Sequence, residues 1–270
     1  MLSERFFLVI EALPELLSCV LYVLLFVLIS DVGLMLYNAW SKKWNKEPQG
    51  GEMAGLIFGA LSLIYSLILA FVIVAVWTNY DDLGETIEKE TDKLNNILAH
   101  SETLPNSIRQ PLVKALFSYC HQVTDKEWRM QEPDVPQRPS AIPALRMMLL
   151  RLEPQNSLQQ HIYDVVDEDL SCVSDLRRAR LDHTRSHVPD LIWLILKAGS
   201  AMLMLFSYFL NAASEKFKRV YVFFLSTIVG MSLFLVYTLD RPYTGCAQVS
   251  NQPYQPVIIE LKQHWMAVSK

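Results

Sequence analysis

The sequence predicts an all-α membrane protein: four transmembrane helices in two hairpins, with a helical extramembrane domain between helices 2 and 3. Three observations carry this. First, four apolar segments run from about Leu16 to Tyr37, Ala54 to Trp77, Leu191 to Leu210 and Val220 to Leu239. Each reaches the roughly 20 residues that cross ~30 Å of hydrocarbon as a helix. Second, the second and fourth segments contain no charged residue, whereas a soluble helix of that length needs a polar face. Third, residues 78–187 between the hairpins are polar but keep helical periodicity, with no strand-like alternation.

Residues 1–77 hold a short amphipathic segment, Met1 to Glu15, and the first two spans. Glu4, Glu11 and Glu15 against a single Arg5 are the reverse of a basic n-region, so the first span is expected to be retained rather than cleaved. Asn38 to Met53 form a loop with Lys42, Lys43 and Lys46 beside Trp40 and Trp44, then a Pro-Gln-Gly-Gly turn. Basic residues next to tryptophans suit a membrane interface. Residues 78–187 form the helical domain. Its first stripe is Leu83, Ile87, Leu94, Ile97 and Leu98, and its second is Ile108, Leu112, Ala115, Leu116, Tyr119 and Val123 after Pro105. Pro133, Pro136, Pro139 and Pro143 then demand a loop. A third stripe, Leu158, Ile162, Val165, Val166, Leu170, Val173 and Leu176, runs on through Arg177, Arg178 and Arg180 toward the third span. The domain is expected to be continuous with membrane helices at both ends. Residues 188–240 hold spans three and four, joined by a loop from Asn211 to Arg219. Residues 241–270 read as a Gln/Pro-rich tail.

Composition excludes several classes of function. The net charge of -4 gives no global field for nucleic acid or an anionic surface. Cys19, Cys120, Cys172 and Cys246 are scattered, with no CxxC pair or metal-ligand spacing, as expected of free thiols in a reducing compartment. His183 and His187 are four apart, as zinc ligands can be, but no third ligand stands at a matching spacing. No Walker loop, dinucleotide fingerprint, nucleophile elbow or HExxH is present. No enzyme, cofactor or metal site is expected.

One order of residues is recognisable. The second span ends in Leu69 to Asp82, LAFVIVAVWTNYDD, and Glu90 follows. Then come Tyr119, Glu127-Trp128, Arg178 and Leu181, Pro189 and Trp193, and finally LDRPYTG, Leu239 to Gly245. From about Gly55 to Ser250 this order resembles bacterial and plant membrane proteins carrying a bestrophin-like domain. The resemblance implies a four-span subunit with a helical domain between spans two and three. In bestrophins such subunits form pentameric anion channels, with the pore lined by the second span and the helical domain in the cytosol. Bestrophin calcium sensing uses an acidic cluster after the fourth span. Here that region holds only Asp240, and the run Asp164, Asp167, Glu168 and Asp169 lies elsewhere, so calcium gating is not implied.

Three sets of residues are candidates for function. Gly55, Gly59, Ser62, Ser66 and Ala70 fall at i, i+4, i+7, i+11 and i+15 on the second span. Such a stripe reads first as a packing seam within the subunit and second as a pore-facing line. Asp31 and Lys197 are charges well inside spans, where ionisable groups are functional suspects. They lie near opposite ends, which argues against direct pairing. At the membrane exit stand Trp77, Asn79, Tyr80, Asp81 and Asp82 on the second span, with Asp240, Arg241, Pro242 and Gly245 on the fourth. A salt bridge such as Asp81 to Arg241 would fasten the helix ends; a charged vestibule at a pore mouth is the alternative. The basic run Arg177 to Arg185 is expected to meet lipid headgroups.

Two functions fit these residues. One is an oligomeric, bestrophin-like ion channel or ion-pathway protein in the lipid bilayer, a pentamer by analogy. The other is a non-conducting scaffold or signalling adaptor whose helical domain binds a soluble partner. The setting is the plasma membrane or bacterial inner membrane. Six Lys/Arg in the short loops face eight near the spans on the other side, so charge does not orient the chain. The resemblance and the unpaired cysteines place the helical domain and termini in the cytosol.

Overall fold

A computed structural model describes residues 15–43, 52–128, 142–149, 156–183, 186–210, 212, 214–243 and 247–268. The amphipathic segment 1–14, Trp44, Lys46 and the Pro-Gln-Gly-Gly turn lie outside them, as do Pro133, Pro136, Pro139 and Gly245. Every regular element described is helical. The chain divides into two compact units. One comprises Met1–Thr78 with His187–Gln248, the other Asn79–Ser186 with Val249–Lys270.

The first unit holds four helices long and apolar enough to cross a membrane. These are α1 (Glu15–Lys43), the first part of α2 (Glu52–Ser101), α6 (Asp190–Phe209) and α7 (Glu215–Leu239). α1 lies along α7, and α6 packs on both. Aromatic rings fill the seams: Tyr22 meets Phe234 at 5.5 Å, and Tyr37 meets Phe209 edge-on at 5.0 Å. The Tyr208 hydroxyl donates to the Ser30 carbonyl at 2.8 Å, so a buried polar tip has a partner. Pro189 stands at the start of α6, where a missing N–H is harmless. Ser214 caps α7, its hydroxyl accepting from Phe217 N at 3.4 Å.

The second unit is built from the rest of α2, α3 (Asn106–His121), a π-helical turn (Gln122–Glu127), α4 (Ile142–Leu149), α5 (Ser157–His183) and α8 (Tyr254–Val268). Its core joins the first two stripes expected from sequence to the middle of the third. Leu83, Ile87, Leu94, Ile97 and Leu98 on α2 are buried, as are Leu112, Leu116, Tyr119 and Val123 beyond Pro105, and Val166, Leu170 and Val173 on α5. Each such Leu, Ile or Val stabilises the unit by roughly 1.5–3 kcal/mol through the area it removes from water. Cys120 is buried among them, and the described Cys19 and Cys172 are also free thiols.

Several boundaries differ from those expected. Residues 254–268, part of the stretch read as a tail, form the helix α8. α8 packs along α3 in the second unit, because Tyr254, Val257 and Leu261 make a buried i, i+3, i+7 seam. Pro256 is tolerated because it falls in the first helical turn. Continuity with the membrane helices holds at one end only. α2 runs unbroken from Glu52 to Ser101, whereas α5 stops at His183 before Pro189 and α6. Pro143 sits in the first turn of α4 rather than in a loop. The stretch Glu215 to Arg219, expected as loop, is already the start of α7. Leu158, expected in the third stripe, is 67% exposed.

Candidate functional site

The small-residue stripe of α2 faces away from its own chain. Gly55, Gly59, Ser66 and Ala70 are exposed, and Ser62 is half-buried. A Cβ added at Gly55 or Gly59 would meet nothing within 4 Å. The packing seam expected there within the subunit is therefore elsewhere. α2 instead buries Tyr65, Leu69 and Val76, a face roughly a quarter-turn round the helix. The ring of Tyr65 is the knob and Gly199 of α6 is the hole. A Cβ on Gly199 would come within 2.6 Å of that ring, and the Tyr65 hydroxyl donates to the Leu196 carbonyl at 3.2 Å. On the stripe, Ser62 donates to Phe58 O at 2.6 Å and Ser66 to Leu63 O at 2.8 Å. Bonding back to the helix leaves neither hydroxyl proton unsatisfied in apolar surroundings.

The two intramembrane charges have different partners. Asp31 Oδ1 lies 3.2 Å from Nε of Arg219, a residue the sequence suggested only as a loop cation. Beside this pair, Asn38 donates to Glu215 at 2.7 Å, and the Lys218 ammonium stands 5.0 Å over the Tyr37 ring. These contacts knit the end of α1 to the start of α7. Lys197 is exposed, with its ammonium 5.2 Å over the Trp193 ring.

At the membrane-exit motif, the fourth span is fastened within its unit by Asp240. Its carboxylate accepts from Val188 N at 2.6 Å and from Trp193 Nε1 at 3.2 Å, and its carbonyl accepts from His187 Nδ1 at 2.9 Å. Asp240 thus holds the lead into α6. Arg241 lies 5.0 Å over Tyr237, and Pro242 is buried. In the second unit, Asn79 Oδ1 accepts from His183 Nδ1 at 2.8 Å. His183 and His187 therefore share no helix face. Tyr80 is half-buried, while Trp77, Asp81 and Asp82 are exposed.

The second unit contains a buried charge network that the sequence reading passed over. Glu90 is fully buried and Arg180 is 1% exposed. Arg180 donates through Nε to Glu90 Oε2 and through Nη2 to Glu127 Oε2, each at 2.9 Å. Arg177 donates to Glu127 Oε1 at 2.7 Å, and the Tyr119 hydroxyl donates to Glu90 Oε1 at 2.5 Å. These lengths are those of charge-assisted bonds. The Trp128 ring stands 5.8 Å from the Arg180 guanidinium, and its indole N–H donates to Val249 O at 3.2 Å. The π-helical turn places Glu127 and Trp128. Trp128 N bonds to Val123 O, five residues back, and Gln122 donates to Glu127. Arg177 and Arg180 therefore point into the domain, not at lipid headgroups, because two buried carboxylates face them.

Electrostatics follow from this geometry. Burial alone would raise the Glu127 carboxyl, but the Arg177 hydrogen bond and the Arg180 charge outweigh it and hold the group below its ordinary range. Burial works against the Arg180 charge, yet the Glu90 carboxylate keeps the guanidinium firmly protonated. Burial pushes the phenols of Tyr119 and Tyr254 well up, and Glu90 adds to it while the Arg180 charge pulls the other way. Cys120 is pushed up to about 12 by burial and then by Glu90, so it is an unreactive thiol. The site is a lock.

Sequence carried a signal for this lock. Glu90 falls three after Ile87 and four before Leu94, on the apolar face of its helix, and Arg180 follows Val173 and Leu176 on theirs. A charge on a buried stripe requires an opposite charge on another stripe.

The comparisons agree with this architecture. The Bestrophin-like domain pattern matches residues 23–254, and the chain belongs to the family of proteins carrying that domain. It is a multi-pass membrane protein with four candidate spans. Three crystal structures of single-substitution variants of a bacterial bestrophin homologue from Klebsiella pneumoniae share its fold, with TM-scores of 0.70, 0.70 and 0.66. Identities are 16%, 14% and 16%. The matches cover 91%, 92% and 93% of this chain and 99%, 99% and 98% of theirs. No curated protein sequence matches the chain.

Proposed function

We propose that the protein is one subunit of an oligomeric ion pathway whose second spans surround a common axis, with the helical unit and termini in the cytosol. The observation that carries this is the α2 stripe. On an uncharged line, Gly55, Gly59, Ser66 and Ala70 stay open on the single chain and Ser62 half-open, while Tyr65, Leu69 and Val76 make intrachain contacts. Small residues suit close approach between helices, and hydroxyl-bearing ones suit an aqueous line. Four spans of one subunit leave little room for a path of their own, so neighbours are required. Membership of the bestrophin-like family supports the same reading, and a pentamer is the stoichiometry that analogy with bestrophins suggests.

The test is planar-bilayer recording of the purified full-length protein, with its stoichiometry read in parallel by native mass spectrometry. Currents from an oligomer are expected. Silent bilayers across voltage, pH and calcium, with the oligomer intact, would overturn the proposal. A monomer would favour the adaptor. Labelling of Cys172, the partly exposed thiol of the helical unit, by an impermeant thiol reagent on intact cells would reverse the orientation.

A further inference from the structure

Lys197 is a charge that the proposed pathway does not use. It lies two turns into α6 from Asp190, ~10 Å along the axis. Its neighbours on that side of the helix are outward and apolar: Leu194, three residues back, is 63% exposed, and Ala198 and Ala201 are exposed too. Among the described residues no carboxylate stands within ion-pair distance of it. Helical side chains lean toward the N-terminus of their helix, so the aliphatic stem carries the ammonium back one turn, where it rests 5.2 Å over the Trp193 ring.

The depth of that cation is set by a chain of contacts. The Trp193 indole N–H is held by Asp240 at 3.2 Å, and Asp240, 8% exposed, is itself held by Val188 N at 2.6 Å. Tryptophan rings favour the level of lipid headgroups. An ammonium at the edge of hydrocarbon, on a lipid-like face, needs an anion or water. A phosphodiester supplies the anion at that level. A zwitterionic headgroup brings its own cation, which competes for the phosphate, whereas an anionic headgroup does not. We infer that Lys197, positioned by Trp193, seats the headgroup phosphate of an anionic phospholipid on the outer face of α6.

The test uses full-length protein in detergent titrated with phosphatidylglycerol or phosphatidylcholine, with retained lipids counted by native mass spectrometry. Wild type and Lys197→Arg should retain phosphatidylglycerol about fivefold better, the size of one interfacial cation contact. Lys197→Gln should lose that preference while its melting temperature is unchanged. An equal preference in Lys197→Gln would overturn the site. So would complete competition by inorganic phosphate, which would assign the position to a soluble anion. Should the variant fail to fold, photoreactive phosphatidylglycerol on wild type decides: label within residues 191–201 is expected, and its absence overturns the inference.

Discussion

Arg180 and Glu90, ninety positions apart in sequence, meet at 2.9 Å with side chains 2% and 0% exposed. A buried ion pair of this kind contributes little net stability over an apolar pair of the same shape, but removing one partner strands the other. Glu90→Leu or Arg180→Met alone should therefore lower stability by about 3–5 kcal/mol. The double variant should cost less than the sum of the two singles, with a coupling of about 1–3 kcal/mol. Thermal melts of the four proteins in one detergent check this. Additive losses would mean that the contact carries no energy.

Glu127 makes the lock sensitive to acid. Its carboxyl sits below the ordinary 4.5 in the folded chain. Its contribution is therefore complete above that value and is lost as pH falls through the lower, folded one. Melting temperature of the wild type should thus decline on acidification below about pH 4.5. Glu127→Gln should be less stable at pH 7 by about 1–3 kcal/mol, with a flatter acid limb. Parallel acid limbs in both proteins would assign the decline to other carboxylates.

The two glycine-bearing faces of the membrane helices should respond in opposite ways. Gly199→Ala drives a methyl into the Tyr65 ring at 2.6 Å; overpacking of this kind costs about 1–3 kcal/mol. Gly59→Ala meets open space and gains helix propensity, so the single chain should keep or slightly raise its stability. Melts of monomeric protein distinguish the two sites.

Ser66→Leu tests the stripe itself. The chain leaves this position exposed, so the larger side chain should not disturb the fold of a subunit. It should reduce flux if the stripe lines a path, or reduce assembly if the stripe joins subunits. Normal flux and normal assembly together would mean that the stripe faces lipid.

The four spans were legible because an apolar run of this length has no other stable home. The direction each face points was not. Gly59 and Ser66 suit lipid, a neighbouring helix or water equally well, and only the ring of Tyr65 facing Gly199 shows which side of α2 meets its own chain. In the second unit, the apolar spacing of Leu83, Ile87 and Leu94 revealed the core. The partner of Glu90 stayed hidden because nothing local joins it to Arg180. α8 was obscured by its prolines: Pro253 and Pro256 read as a tail, although Tyr254, Val257 and Leu261 already had helical spacing.

The buried lock has one more property. Glu90 and Glu127 carry two negative charges, Arg177 and Arg180 two positive ones, and all four are held within hydrogen-bonding distance of an opposite. Such an arrangement cancels its own monopole, and what field remains decays steeply with distance. This charged cluster in the core of the helical unit is thus electrically silent to anything passing outside it. Preference for one sign of ion would have to originate in groups that face water, and substitutions that keep the cluster neutral should alter rigidity while leaving reversal potentials where they were.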